Sequence, residues 1–199
     1  NSLDSFINSN KLDGFNVTIP HKLSIIPFLK GLDEAAKTIG AVNCVHNGKG
    51  YNTDWIGFLK AMKLNGVDLN GKNCTILGAG GAARAIAYGL VQADVNSILI
   101  SNRTQAKADQ LLDWINSIFP INFKSKNSDI IINCTSLGMW PDTESMPKVE
   151  IQNGQILADT IYNPMDTSWL KAGKTKGAKT IGGLDMFIAQ GLASEDIWV

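Results

Sequence analysis

Cys74-Thr75-Ile76-Leu77-Gly78-Ala79-Gly80-Gly81-Ala82-Ala83 is the stretch that decides the fold. A short apolar run ends at Gly78, after which Ala83, Ile86, Ala87 and Leu90 recur at helical spacing. The order is therefore strand, tight turn, helix. The turn fits the Gly-x-Gly-x-x-Gly/Ala fingerprint of a dinucleotide-binding βαβ unit. Gly78 permits the turn, Gly80 lets backbone approach a pyrophosphate, and Ala83 is small enough for close packing of helix on sheet. The free amides at the helix start, around Ala79, Gly81 and Ala82, would then receive the phosphates.

Working outward, residues 97–101 read as the next strand, and Thr104 can cap a helix whose apolar face is Ala108, Leu111, Leu112 and Ile115. Ile130, Ile131 and Ile132 form the continuous β-branched run of a parallel strand covered on both faces. Residues 156–158 and 179–181 supply two more strands, with a helix over 166–176 that ends at Gly177. Residues 67–183 thus predict an α/β, Rossmann-type, doubly wound parallel-sheet domain that binds the nucleotide.

The first 66 residues have a different rhythm. Leu3, Phe6 and Ile7 suggest a helix cut by Gly14, followed by extended runs over 15–18 and 42–46. Asn47-Gly48 signals a hairpin into Tyr51-Asn52-Thr53. Trp55, Phe58, Leu59 and Met62 share one helical face, capped at Thr53 or Asp54 and ended by Gly66. That helix links a smaller α/β substrate domain (1–66) to the nucleotide domain, and residues 184–199 form a helix returning to the smaller one. Pro20 suits a first helical turn.

Composition excludes several classes of function. Eighteen Lys plus Arg balance eighteen Asp plus Glu, so no positive field exists to attract nucleic acid or anionic lipid. Residues 76–91 are near-apolar but interrupted by Arg84 and four glycines, which argues against a membrane span. Residues 1–10 lack a basic region followed by an apolar one, so no signal peptide is expected and the compartment is the cytosol. Cys44, Cys74 and Cys134 have neither metal-site nor disulfide spacing and read as small buried thiols. No metal is expected.

The end of the second strand selects the dinucleotide. An NAD site places Asp or Glu there for the ribose hydroxyls; here the sequence is Asn102-Arg103-Thr104. An arginine makes charge-assisted bonds to a 2′-phosphate, and Lys107 adds a second charge one turn later. The cofactor is read as NADP(H). Ketone reduction also needs a proton donor beside the developing alkoxide. His46 abuts the hairpin turn and is expected to be exposed; His21 and Lys22 follow Pro20.

Gly14-Phe15-Asn16-Val17-Thr18-Ile19-Pro20-His21-Lys22, Gly40-Ala41-Val42-Asn43 and Asn52-Thr53-Asp54 resemble successive signatures of shikimate dehydrogenases. The resemblance continues, in family order, through Asn102-Arg103-Thr104, Asn133-Cys134-Thr135-Ser136-Leu137-Gly138-Met139, Asp159-Thr160-Ile161-Tyr162-Asn163-Pro164 and Gly183-Leu184-Asp185-Met186 to Gln190. It implies NADPH-dependent, reversible reduction of 3-dehydroshikimate to shikimate, in the pathway to chorismate and the aromatic amino acids. By the same resemblance Lys22 is the catalytic lysine and Asp54 its partner carboxylate. Thr18, Asn43 and Gln190 would hydrogen-bond substrate hydroxyls, and Tyr162 would lie near the substrate carboxylate. Glu34, Thr135, Thr160, Gly183 and Met186 would lie near the cofactor.

The resemblance departs at the front. The family carries an N-terminal strand-helix segment with a Ser-x-Ser motif that grips the substrate carboxylate, and Ser2 and Ser5 do not fit it. The expectation is a longer protein, cut at the front and slightly at Val199, acting as a monomer or homodimer on a small molecule. Two rivals remain: a quinate/shikimate dehydrogenase that also uses NAD, disfavoured by the missing acidic residue after Arg103, and a catalytically idle nucleotide-binding module, disfavoured by the joint presence of Lys22, Asp54 and Gln190.

Overall fold

The computed structural model describes residues 3, 5, 7, 12–119 and 127–199. Leu3 and Ile7 are helical as expected, whereas Ser2 and Phe6 lie outside the described residues. The chain then runs β1 (Gly14–Asn16), a 3₁₀ turn (Ile26–Phe28), β2 (Gly31–Leu32), α1 (Glu34–Ile39), β3 (Cys44–His46), β4 (Lys49–Tyr51) and α2 (Asp54–Leu64). These strands form a four-stranded sheet in the order β1-β3-β4-β2. Only β2 and β4 pair in parallel. Asn47 (φ 50°) and Gly48 (φ 80°) make the hairpin turn as expected, since two successive positive φ values match the right-handed twist of the flanking strands.

The second half follows as β5 (Asn73–Leu77), α3 (Gly81–Gln92), β6 (Ser97–Ser101), α4 (Gln105–Ile118), β7 (Ile130–Asn133), β8 (Ile156–Asp159), α5 (Ser168–Thr175), β9 (Lys179–Ile181) and α6 (Leu184–Trp198). Its five strands are all parallel, in the order β6-β5-β7-β8-β9. The order reverses between β5 and β7, and a sheet of this kind binds ligand in the crevice beyond the strand ends at that point. Ile76, Ile98, Ile130, Ile132 and Leu157 are fully buried, which explains the continuous apolar runs.

Two expectations shift and one element is new. No α-helix starts at Pro20: residues 19–25 form turns before the short 3₁₀ segment. α5 begins at Ser168, two residues past the expected start, because the Thr167 hydroxyl accepts from the Leu170 amide and caps it there. α1 was not anticipated, although Asp33 accepts from the Ala36 amide and Gly40 closes the helix in the left-handed region (φ 69°). That pairing of start and stop residues is a helix signal, but six residues are too few to show periodicity.

α2 and α6 cross very closely. A Cβ on Gly57 would lie 2.7 Å from the Met186 carbonyl oxygen and 2.9 Å from the Gln190 nitrogen. Gly57→Ala is accordingly expected to lower stability by about 1–3 kcal/mol, read as a fall in the urea midpoint. Among the described residues no helix is long and apolar enough to cross a membrane.

Candidate active site

Asn43 is the hub of the site. It is buried at the end of the segment before β3, and its Oδ1 accepts from the Thr53 amide at 2.7 Å. Its Nδ2 lies 2.9 Å from Thr53 Oγ1, 3.0 Å from Asp54 Oδ1 and 3.0 Å from Gln190 Oε1. Two amide protons face three acceptors, so acceptor capacity is left over in the cleft. Asp54 opens α2, where the exposed helix amides favour a carboxylate. Its other oxygen accepts from Lys22 Nζ at 2.5 Å.

Lys22 is held by its backbone as well: its carbonyl accepts from the Val42 amide at 2.8 Å. A Cβ on Gly81, at the start of α3, would be 3.8 Å from Lys22 Cβ and 3.9 Å from Ala41 Cβ. The lysine is therefore brought directly against the glycine turn. Only 15% of its side chain is exposed, against 6% for Asp54. With one of three ammonium donors on Asp54, two remain for other groups.

The turn fits a dinucleotide. Gly78 has φ 109°, and a Cβ there would meet the Cys134 carbonyl oxygen at 2.9 Å; Gly80 faces open space with nothing within 4 Å of its virtual Cβ. No side chain caps α3, and Ala83 is fully buried against the sheet. Ala79 and Ala82 are half-buried beside the turn. Beyond β6, Arg103, Thr104 and Lys107 are exposed, and Asn102 Nδ2 donates to the Thr104 carbonyl at 2.9 Å. Thr104 is the residue before α4, as expected, but makes no side-chain capping bond.

The other named residues divide. Gln190 joins Asn43, and its Nε2 donates to the Phe187 carbonyl at 2.9 Å. Tyr162 stacks on Phe187 with ring centroids 4.2 Å apart. Thr135 and Thr160 support the crevice from within: Thr135 Oγ1 donates to Asn133 Oδ1, and Thr160 Oγ1 to the Asn133 carbonyl. Gly183 packs against the Thr160 and Ile161 carbonyls, where a Cβ would be 2.6 Å away, and Met186 is buried one turn before Gln190. Thr18 is exposed ahead of Lys22, and Glu34 is exposed on the first turn of α1; neither joins the Asn43 hub.

Sequence reasoning missed the second ring of this hub. Thr53 Oγ1 donates to the Gln190 carbonyl, Ser194 Oγ lies 3.1 Å from Thr53 Oγ1, and Asn16 Nδ2 donates to both the Asn43 carbonyl and Ser194 Oγ. Ser194 falls one helical turn past Gln190, a spacing that was visible. His46 is half-buried rather than exposed: its Nδ1 is buried, while Asn47 Nδ2 lies 2.7 Å from its Nε2. Cys44 and Cys74 are buried as expected, whereas Cys134 is only half-buried; burial raises all three thiols, Cys74 to about 12. Among the described residues no group of three His, Cys, Asp or Glu is placed to hold a metal.

Asp159 closes the crevice floor. Its oxygens accept from Asn133 Nδ2, the Ile161 amide and Thr167 Oγ1, yet burial outweighs these bonds and raises its carboxyl above the usual range. A raised native value means that the folded state holds the proton longer than the unfolded one. Its contribution is therefore full below the unfolded value and falls as pH rises through the native one. Asp159→Asn should flatten the decline in melting temperature as pH rises from the ordinary carboxylate range through the raised native value; an unchanged slope would exclude Asp159 as its source.

A lysine–carboxylate pair set against the phosphate turn of a doubly wound sheet defines a nucleotide-dependent oxidoreductase. The family model for the shikimate dehydrogenase substrate-binding domain matches residues 1–45, and that for shikimate/quinate 5-dehydrogenase matches residues 59–152. The shikimate dehydrogenase (NADP(+)) of Moorella thermoacetica is 40% identical over 203 residues, covering 93% of this chain and 69% of that protein. A shikimate dehydrogenase crystallised with NADP+ superposes with a TM-score of 0.91 at 39% identity, over 99% of this chain and 74% of that one. A ligand-free 5-ketofructose reductase of Gluconobacter sp. strain CHM43 gives 0.89 at 35% identity, over 100% and 79%. The chain belongs to the shikimate dehydrogenase family.

Proposed function

We propose that this protein catalyses the NADPH-dependent, reversible reduction of 3-dehydroshikimate to shikimate, a step toward chorismate and the aromatic amino acids; the relatives named shikimate dehydrogenase (NADP(+)) support the reading. The observation that carries the proposal is the Lys22–Asp54 ion pair, tied through Asn43 to Gln190 and set against Gly81. Residues 1–66 and 184–199 form the substrate side in this reading, and residues 67–183 the nucleotide side.

NADPH, when bound, supplies the hydride. The residues of the turn would hold its pyrophosphate by backbone amides, and the exposed Arg103 and Lys107 would pair with its 2′-phosphate. Lys22 stabilises the developing alkoxide and delivers a proton to it from Nζ. Asp54 fixes the ammonium and accepts from a substrate hydroxyl. Asn43 and Gln190 orient the remaining hydroxyls, with Thr18 at the entrance and Tyr162 toward the carboxylate. The protein acts in the cytosol on this small molecule, as a monomer or homodimer.

The test is a substrate panel followed by nicotinamide absorbance: shikimate, quinate and 5-ketofructose-related polyols, each with NADP and NAD. Efficient turnover confined to shikimate with NADP is expected; quinate, which the family model's description also names, turned over with NAD would overturn the assignment. NADPH binding without any turnover would indicate an idle module. Arg103→Ala should weaken NADPH by about 10- to 100-fold and leave NADH within about twofold, since only the former carries the phosphate. Equal weakening of both would refute that role.

A further inference from the structure

One charged side chain in the contact between the two sheets' layers has no place in the chemistry above. Arg84, on α3, lies with its guanidinium carbon 4.6 Å from the centre of the Trp114 ring of α4. Its Nη2 would touch a Cβ on Gly40 at 3.4 Å. Its Nε is buried without a hydrogen-bond partner, and burial lowers its pKa. Trp114 reaches the same corner from the other side, its Nε1 donating to the Thr38 carbonyl at 3.1 Å. Around them the contact is apolar: Ala35, Ile39, Ala41 and Ala85 are buried together, with Trp55 and Tyr88 edge to face at 5.3 Å.

The corner held by Arg84 leads straight into the site. Gly40 ends α1; Ala41 follows, its carbonyl taken by Asn52 Nδ2 at 2.9 Å; the Val42 amide holds the Lys22 carbonyl; and Asn43 is the hub. On α3, Gly81 lies three residues before Arg84, on the same face, and contacts Lys22 and Ala41. One face of one helix thus touches the catalytic lysine with its first turn and the segment that anchors that lysine with its second.

We propose that Arg84 is a positioning residue: stacked on Trp114, its guanidinium seats the Gly40–Asn43 corner against α3 and so sets where Lys22 stands relative to the glycine turn. A planar cation suits the task, because it presents a flat face to the indole and an edge to the backbone corner. A purely packing residue in this contact would be better served by a hydrocarbon, because the half-buried guanidinium leaves its Nε buried without a partner, which costs stability. The inference rests on the reading of Lys22 as catalytic.

The experiment compares wild type with Arg84→Met, which keeps an unbranched stem as far as the position of Nε and removes the guanidinium. Lys22 acetylation by a water-soluble reagent, followed by peptide mass spectrometry, reads its placement without requiring turnover. Labelling is expected to rise at least about fivefold as the corner loosens, and kcat with shikimate to fall at least about tenfold. The NADPH dissociation constant should stay within about twofold, and the melting temperature should not drop. Unchanged Lys22 labelling overturns the proposal whatever happens to kcat, and so does a loss confined to NADPH affinity. Should Arg84→Met not fold, Trp114→Phe keeps a ring beneath the guanidinium while removing the bond to Thr38. It should raise labelling in the same direction to a smaller degree, and unchanged labelling there overturns the proposal equally. Labelling that responds to Arg84→Met in a protein that does not turn over shikimate would refute the substrate assignment and leave the role of Arg84 standing.

Discussion

Replacing Lys22 with alanine is expected to lower kcat for shikimate about 1,000-fold while leaving NADPH affinity within about twofold. The magnitude follows from what is lost: the side chain supplies both the proton and the positive charge facing the new alkoxide. The separation from cofactor binding follows from geometry. The Lys22 atom nearest a Cβ on Gly81 is its own Cβ, at 3.8 Å, and alanine retains that atom. The substitution also leaves Asp54, 6% exposed, without its counter-ion, so a lower melting temperature accompanies the loss of rate. Asp54→Asn separates the two effects by removing the buried charge while keeping a group of the same shape beside Asn43. Rapid-quench measurement of the hydride step decides the matter, and an unchanged rate in Lys22→Ala would remove the lysine from the chemistry.

The second large effect is expected at the turn, where two glycines should fail in different ways. Gly78→Ala adds a methyl group 2.9 Å from the Cys134 carbonyl oxygen at a φ of 109°. Neither neighbour can retreat, because the Cys134 amide donates to Leu77 and the Gly78 amide to Ser101. Strain and overlap should together lower stability by about 3 kcal/mol, with NADPH binding lost as the turn shifts. Gly80 has φ −94° and no atom within 4 Å of its virtual Cβ. Gly80→Ala should therefore change stability by less than about 0.5 kcal/mol. It should still weaken NADPH by at least about tenfold, because the methyl group occupies the space reserved for the pyrophosphate. Urea denaturation and NADPH titration on the same two variants check this, and parallel losses in both would contradict the separation.

The nucleotide half was legible because each of its signals is local. The Ile130-Ile131-Ile132 run, the glycine turn and the helical repeat of Ala83, Ile86, Ala87 and Leu90 each fall within a dozen residues and became β7, the phosphate turn and α3. The four-stranded sheet was harder to read, because its strands are two or three residues long and alternation over so short a span is indistinguishable from loop. The site divides in the same way. Lys22, Asn43, Asp54 and Gln190 were found through motifs, but nothing local marks Arg84 as reaching Gly40, Trp114 as reaching Thr38, or Gly57 as the contact point of two helices. Those roles exist only once residues far apart in the chain have met.

The bond from Asn43 to Gln190 joins residues 147 apart in sequence. The nucleotide sheet, by contrast, pairs successive strands except where β5 meets β7, and even there Cys74 pairs with Ile130, a far shorter separation. Loop closure over the longer distance is slow compared with pairing adjacent units. A refolding chain should therefore regain its affinity for NADPH before it regains turnover, the delay being the time α6 takes to dock on α2 and close the hub. Catalytic activity in this molecule is then a report on the last step of its own assembly, and fluorescence of bound NADPH a report on an earlier one.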